Sequence, residues 1–578
     1  MKLKTIVFLI FLSFTSCNDY DDEILELQNE INQLKEIQSL LELKNILYKN
    51  IVSEILVSEI KEESNILILS FENGTKYIIE NKFIKSHSKD AKNWVLKFIL
   101  SDQTEIEMNY IGDKFEYKDI KLDPFNTAPL SLLINKKTPV KGKFKIKIIG
   151  QDGPSSDFIL DSKTYTNEHS LEVFGLYSNY NNEIEISFTN KDGKERSKTI
   201  INVQTKKLPE QIPDFQIEKK YSSYKQNTLI LVNYRVRQQQ SIPFMVDPHG
   251  KVRWYSVGFA KVRKYGLQRL KNGNIAFGVS GKGQGRIYEY DMMGEMKRLY
   301  DFYGKYENIH HDLFEMKNGN FLVTVDKVGI ETIEDFIIEI DRTSGVVGNV
   351  WDLREVLQMD RFTFRQIKGG TDWFHTNAVI HDDRDNSIIV SGQAQGLAKV
   401  SWENKLKWIL APHDGWDDDY KEYLLQPKGN PFEWSWGQHA PQILNNGNIM
   451  IFDNGFGRGF GTAPSNYSRS VEYNIEETEK GGEISQVWEY GKERGEDMFS
   501  PFISDIDYLE DSSTVFLTCG STSFDLEYNN LSSSLVNNID QIETRIIEVN
   551  RSKEVIFEMV INSNNVGTTY RSEKLVFD

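Results

Sequence analysis

Three histidines in this 578-residue chain occupy the same kind of place. His311, His375 and His439 each stand shortly before an apolar run: Asn318-Gly319-Asn320-Phe321-Leu322-Val323, Asp385-Asn386-Ser387-Ile388-Ile389-Val390-Ser391 and Asn446-Gly447-Asn448-Ile449-Met450-Ile451 respectively. Aromatic and amide side chains flank them, as in Asp372-Trp373-Phe374-His375-Thr376-Asn377, a setting in which a β-scaffold presents an imidazole to a buried pocket. A neutral imidazole is a good nucleophile near neutral pH, and a protonated one is a cation and donor for an oxyanion. Three of them delivered by three copies of one local pattern predict one shared site, able both to attack and to stabilise an anionic group. Asn377, two residues from His375, falls on the same face of a locally extended chain. His310 and His311 point to opposite faces, and spacing alone does not say which faces the site. Three histidines are also a zinc set, to which His310-His311-Asp312 offers extra ligands. No His-x-x-x-His or carboxylate pattern builds a preformed cage, so no metal is expected.

The elements that must hold these residues are repetitive. In the C-terminal half a two-part unit recurs along the chain: an apolar strand, often opened by Asn-Gly-Asn, and later a hairpin leading to an aromatic, as in His249-Gly250-Lys251-Val252-Arg253-Trp254 and Asn404-Lys405-Leu406-Lys407-Trp408. Repeats of this kind with lengthening loops predict a six-bladed β-propeller over residues 207–578. The first strand of each blade lines the central channel, so residues preceding those strands in the third, fourth and fifth blades converge at one mouth. Gly281-Lys282-Gly283-Gln284-Gly285-Arg286 opens no helix and reads as a blade turn, not a phosphate loop.

Residues 117–206 alternate in strands such as Lys143-Phe144-Lys145-Ile146-Lys147-Ile148-Ile149 between Gly, Asn and Asp turns, which predicts an immunoglobulin-like β-sandwich. The Pro-bearing segment 207–214 reads as a linker. Residues 63–116 read as a small accessory β segment, and 18–62 as an amphipathic helix in which Ile24, Leu27, Ile31 and Leu34 recur at spacings of three and four. That helix is either a stalk or short coiled coil through which copies of the chain associate, or a helix packed on the next domain. The fold class is therefore all-β, with an N-terminal helical stalk.

The formal net charge of −17 leaves no basic stripe for nucleic acid. An anionic substrate must be held by local cations or imidazolium groups against that field. Residues 1–17 have the charged start and short apolar core of a secretory signal. They end in Phe14-Thr15-Ser16-Cys17, which resembles a bacterial lipobox whose cysteine is lipidated, and the acidic run after it resembles a surface-export signal of bacterial lipoproteins. The expected location is the cell envelope, lipid-anchored at the outer membrane and either periplasmic or surface-exposed. The other cysteine, Cys519, lies in the apolar run Val515-Phe516-Leu517-Thr518-Cys519 and reads as a buried small hydrophobe.

His310-His311-Asp312, the stretch Asp372 to Asn377, and Trp436-Gly437-Gln438-His439 with Asp453-Asn454-Gly455 resemble the bacterial arylsulfate sulfotransferases. So do Asn126-Thr127-Ala128-Pro129-Leu130, Gly175-Leu176-Tyr177-Ser178-Asn179-Tyr180-Asn181-Asn182 and Tyr467-Ser468-Arg469-Ser470-Val471-Glu472-Tyr473, and the resemblance covers roughly residues 117–578. It implies a sulfuryl transfer from a phenolic sulfate ester to a phenolic acceptor, with no nucleotide donor and no cofactor. The implied intermediate is a sulfohistidine at His439. His311 and His375 would bind the sulfuryl oxygens and assist proton transfer, Asn377 would help fix the site, and His310 and Gln393 are further candidate substrate-binding positions. Gln393, in Ser391-Gly392-Gln393-Ala394-Gln395, is a departure: the family carries an arginine there, and an amide does not replace a bidentate cation. Arg458 and Arg365 are candidates to supply that charge. The alternative is a catalytically altered propeller that binds an anionic or sulfated ligand at the same histidines.

Overall fold

The computed structural model describes residues 20–577 except 54, 72, 91–94, 111–116, 191–192, 194, 237–240, 259–262, 282, 362–370, 523–541 and 563–566; Cys17 and Arg365 lie outside the described residues. From Asp214 onward the chain forms six sheets set around a central channel, antiparallel except where Leu425–Pro427 adds in parallel to the edge of one, a six-bladed β-propeller. Blade two shows the plan, running outward through Arg263–Arg269, Ile275–Ser280, Arg286–Tyr290 and Met296–Asp301. The inner strands of blades two to six are Arg263–Arg269, Leu313–Glu315, Thr376–Asp382, His439–Ile443 and Asp505–Leu509, each touching the next around the ring. Blade one takes its inner strand, Gly567–Val576, from the end of the chain, where it pairs with Thr228–Val236. At the rim of blade six, Asp214–Lys219 from the start of the propeller pairs with Val555–Asn562. The ring is thus stitched twice, and only these closures bring the C-terminal residues Tyr570 and Arg571 into the channel.

The apolar runs opened by Asn-Gly-Asn are the second strands of their blades, not the channel-lining ones. The motif is the turn that leaves the inner strand: Gly273, Gly319 and Gly447 all have φ near +90°, which a tight hairpin favours in glycine. The last asparagine of each motif donates to a glutamate on the third strand, Asn274 to Glu289, Asn320 to Glu339 and Asn448 to Glu472. A carboxylate on each third strand, buried at Glu289 and Glu472 and half-buried at Glu339, is thereby satisfied by the turn of its own blade.

Upstream, six strands between Ile120 and Gln204 make a curled immunoglobulin-like sheet. Its long strand Ser131–Ile148 pairs with Thr166–Phe174 along one half and with Asn181–Asn190 along the other, and so serves both faces. Its core is continuous with that of blade one. Arg253 of blade one, 1% exposed, fixes the joint: it stacks 3.8 Å over Tyr177, donates to the Gly175 carbonyl and pairs with Asp247 at 3.2 Å.

The N-terminal helix covers Tyr20–Val52 and does not run on to residue 62. Val57–Glu63 instead pairs antiparallel with Ile66–Phe71, because that apolar strand offers it a ladder that a helix would forgo. Leu43 and Leu47 pack into the core of this small β unit. Ile24, Leu27, Ile31, Leu34 and Leu41 remain exposed. Among the described residues no helix is long and apolar enough to cross a membrane.

Candidate active site

The inner strands of blades three, four and five start from one mouth of the channel. His311 and His375 stand just before two of these starts, and His439 is the first residue of the third. His311 and His375 have left-handed backbones, φ +59° and +56°, and Ala440 beside His439 has φ +49°. Such a conformation costs a residue with a Cβ about 1–2 kcal/mol. The rings of His311 and His375 have centroids 4.7 Å apart, and the half-buried ring of Tyr570 lies 5.8 Å from His311 and 6.2 Å from His439. The three imidazoles therefore share one site, with Tyr570 in their midst.

His439 is 2% exposed. Its Nδ1 faces two acceptors, Asn454 Oδ1 at 2.8 Å and the Gly437 carbonyl at 3.1 Å. The Asn454 amide cannot be turned round, since its Nδ2 donates to the carbonyls of Ser500 and Ile503, both at 2.7 Å. Nδ1 therefore carries the proton and Nε2 keeps the lone pair. Burial lowers the His439 pKa to about 3, so the ring is neutral near pH 7.

His311 Nε2 stands 3.2 Å from Glu334 Oε2 and its Nδ1 is 2.8 Å from the Tyr570 hydroxyl. A carboxylate only accepts, so Nε2 carries the proton and Tyr570 donates to Nδ1. Burial brings the His311 pKa down to about 4, which keeps the ring neutral in this arrangement. His375 Nδ1 meets two carboxylates, Asp372 Oδ2 at 2.9 Å and Glu334 Oε2 at 2.5 Å. Burial pushes the Glu334 pKa up, but His375 and His311 outweigh it and hold the group ionised. Glu334 is thus the common partner of two of the three histidines.

Of the other residues singled out in the sequence, Asn377 is buried, donates to the Gln438 carbonyl at 2.7 Å and leaves its Oδ1 without a partner. Gln393 is buried at the same mouth, its backbone N–H donating to the His375 carbonyl. His310 is 3% exposed, with its ring 5.3 Å from that of His311. Arg458 does not serve the histidines: it pairs with Asp453 at 3.0 Å and stacks 3.8 Å over Tyr467. Cys519 is fully buried, and burial pushes its thiol up to about 12, which makes it inert.

Sequence reasoning did not assign Glu334, Asp372, Asn454 or Tyr570 to the site. Asp372 and Asn454 lie inside the histidine motifs and were within reach of a closer reading. Glu334 sits in an outer loop of blade three and Tyr570 on the closing strand, and no local pattern marks either. Further along the channel a cavity of about 560 Å³ is lined by Asp312, Asp505, Asp507, Arg571 and Glu573, among others. Burial raises Asp507 and Glu573 to about 7. Arg571 pairs with Asp312 at 3.0 Å and Asp505 at 3.4 Å. Two sets of donors are close enough to hold a metal ion, His310, His311 and Glu334 in one and Glu334, Asp372 and His375 in the other.

Residues 215–571 match the family described as Arylsulfotransferase (ASST), and residues 119–206 match the Arylsulfotransferase Ig-like domain. The chain is 27% identical over 566 residues to Arylsulfate sulfotransferase AssT of Lelliottia amnigena, covering 79% of this chain and 92% of that protein. It is 27% identical over 564 residues to the protein of the same name from Escherichia coli O6:H1 (strain CFT073), with 79% and 92% covered. Among solved structures, a streptogramin B lyase aligns with a TM-score of 0.29 at 11% identity, over 65% of this chain and 94% of that one.

Proposed function

We propose that this chain, which belongs to the arylsulfotransferase family, moves a sulfuryl group from a phenolic sulfate ester to a phenolic acceptor through a sulfohistidine on His439. The observation that carries the reading is the state of His439: a buried, neutral imidazole whose Nδ1–H is held by Asn454 and Gly437, so that Nε2 is the nucleophile. In the first half-reaction the Nε2–S bond forms as the S–O bond to the phenol breaks, and the phenolate leaves and takes up a proton. In the second, an acceptor phenol gives up its proton, its oxygen attacks sulfur and the N–S bond breaks. His375, bound through Nδ1 by Asp372 and Glu334, is placed to give and take that proton, and His311 adds a second imidazole against the sulfuryl oxygens. Asn377, with an unpartnered buried oxygen, helps to set the geometry of the pocket.

Release of phenol from a chromogenic aryl sulfate by the purified protein, accelerated by a second phenol, is the expected behaviour. His439→Asn should abolish it, and retained turnover in that variant rejects the nucleophile. A second reading rests on Gln393, an amide where the resemblance implies an arginine: without that bidentate cation a transferring sulfuryl group loses charge stabilisation, while the imidazoles still offer hydrogen bonds to an anion. In that reading the site binds an anionic or sulfated ligand without transfer. Tight binding of an aryl sulfate with no acceptor-dependent release decides for it. The proposal includes lipid attachment at Cys17 in the cell envelope, tested by loss of membrane association in Cys17→Ser.

A further inference from the structure

We propose that His310, His311 and Glu334 form a binding site for one divalent ion of the zinc class at the histidine mouth. The binding itself does not depend on the sulfotransferase reading; only the ion's part in turnover rests on it.

The donor atoms of these three residues lie within 4.8 Å of one another, and Glu334 Oε2 is 3.2 Å from His311 Nε2. Ligands about 2.0–2.2 Å from a tetrahedral ion stand about 3.3–3.6 Å apart, so this pair needs little movement to clasp one. His310 supplies the independent observation. It is 3% exposed, yet among the described residues neither of its ring nitrogens has a hydrogen-bond partner. A buried imidazole left wholly unsatisfied is rare and calls for a missing partner. The surroundings suit a ligating imidazole pair. Asp326 Oδ1 stands 3.6 Å from His310 Nε2, and the Tyr570 hydroxyl 2.8 Å from His311 Nδ1. Each is placed to take the N–H that a metal-bound ring turns away from its ion.

Charge argues the same way. Glu334, Asp372, Asp326 and Asp312 gather here, and Arg571, the guanidinium beside Tyr570, is already bound by Asp312 and Asp505. An anionic sulfuryl group entering this pocket meets more carboxylate than cation, and a dication on Glu334 reverses that balance. Two histidines and one glutamate are the ligand set of catalytic zinc sites, which keep a fourth position open, and imidazole with carboxylate favours zinc over magnesium or calcium. His375 stays outside the set because Asp372 already holds its Nδ1. With the ion in place, the ion and not the His311 ring faces the sulfuryl oxygens.

The test uses the full chain stripped with a chelator and dialysed. Calorimetric titration with Zn²⁺ should show one ion per chain, and Co²⁺ loading should give the intense visible absorption of a tetrahedral site. Glu334→Gln and His310→Ala should each weaken binding by at least about tenfold. A wild-type protein that takes up no stoichiometric ion overturns the proposal whether or not the variants fold, and so does equal affinity in all three proteins. Turnover of an aryl sulfate is read in parallel: turnover without ion uptake refutes this site, whereas ion uptake with no turnover refutes the sulfotransferase reading and leaves the site standing.

Discussion

Asn454→Ala separates the two things that Asn454 does, orienting the proposed nucleophile His439 and bonding two backbone carbonyls. In the variant the Gly437 carbonyl, 3.1 Å from His439 Nδ1, still accepts its proton, so the tautomer with a bare Nε2 is kept. What is lost for catalysis is one of two hydrogen bonds, about 0.5–1.5 kcal/mol, or roughly 2- to 13-fold in kcat/KM. What is lost for stability is larger. The carbonyls of Ser500 and Ile503, each 2.7 Å from Asn454 Nδ2, lose that donor; with the Ser468 hydroxyl still 3.4 Å from the Ser500 carbonyl and Ile503 half-buried, the cost is at most about 1–3 kcal/mol apiece, at most roughly 2–6 kcal/mol together. The expected result is therefore a folded but clearly less stable protein with a modest kinetic defect, read by urea unfolding and by initial rates of aryl sulfate turnover. A loss of about 10³-fold in kcat/KM with an unchanged unfolding midpoint would refute the reasoning, since Asn454 would then be acting on the substrate. Unchanged kinetics would refute the contact to His439 Nδ1, and an unchanged unfolding midpoint would refute the part given to the two carbonyl contacts.

Three other outcomes follow from the same geometry. Asp372→Asn replaces a charge-assisted contact to His375 Nδ1 with a neutral one, a difference of about 1–1.5 kcal/mol, so proton transfer to and from phenols should slow by about 5- to 13-fold, most visibly with the most basic leaving groups. His439 has its pKa near 3 when folded and 6.5 ordinarily, so between those values the unfolded chain binds more protons and stability falls as the pH is lowered. The unfolding midpoint should drop from pH 7 to pH 5, while kcat/KM shows no inflection from His439 in that range. Every residue from 21 to 39 of the N-terminal helix is exposed, and Ile24, Leu27, Ile31 and Leu34 recur with isoleucine and leucine in the a and d places of a two-stranded coil, with Glu30 and Lys35 in its flanking g and e places. Sedimentation should give twice the 67.0 kDa chain mass, falling to one chain in a Leu27→Asp, Leu34→Asp variant that keeps its catalytic rate.

The elements legible in the sequence are those whose signal is local. The Asn-Gly-Asn turns mark blade hairpins because their left-handed centre favours glycine, and the histidines are visible because each stands shortly before such a turn or, in blade four, before its counterpart Asp385-Asn386-Ser387, where Asn386 is left-handed. The turn itself misled on one point, since the strand before it, short and irregular in blade three at Leu313–Glu315, is the one that lines the channel. Glu334 and Tyr570 were illegible for a different reason. Their place beside His311 depends on a loop of blade three reaching inward and on the last strand closing the ring, separations of 23 and 259 residues that no periodicity records. The helix end at Val52 was missed because Val57 to Glu63 carries charges that suit either state, and only its pairing with Ile66–Phe71 decides.

The backbone itself explains why three consecutive blades can each present an imidazole. A left-handed residue recurs in or beside the inner strands: Gly266 at a register shift inside that of blade two, and, at the strand starts, His311 in three, His375 in four, Ala440 in five and Ser504 in six. In blade two the position admits only glycine, since a Cβ on Gly266 would lie 2.4 Å from the backbone nitrogen of Leu313. In blades three and four the same conformation is held by histidine, which adopts it more readily than most residues with a Cβ but still far less readily than glycine. Those two histidines are also the ones gripped by Glu334, and His375 by Asp372 as well. Charge-assisted hydrogen bonds of about 1.5–3 kcal/mol offset a backbone cost of about 1–2 kcal/mol, so the strain persists where a carboxylate holds the ring. His439 avoids the strain by sitting one residue earlier and passing the left-handed turn to Ala440, and it is held by neutral acceptors alone. The difference in backbone matches the difference in the roles proposed: the two carboxylate-bound rings to handle protons and anionic oxygens, and the ring kept neutral by burial, with no carboxylate against it, to attack sulfur.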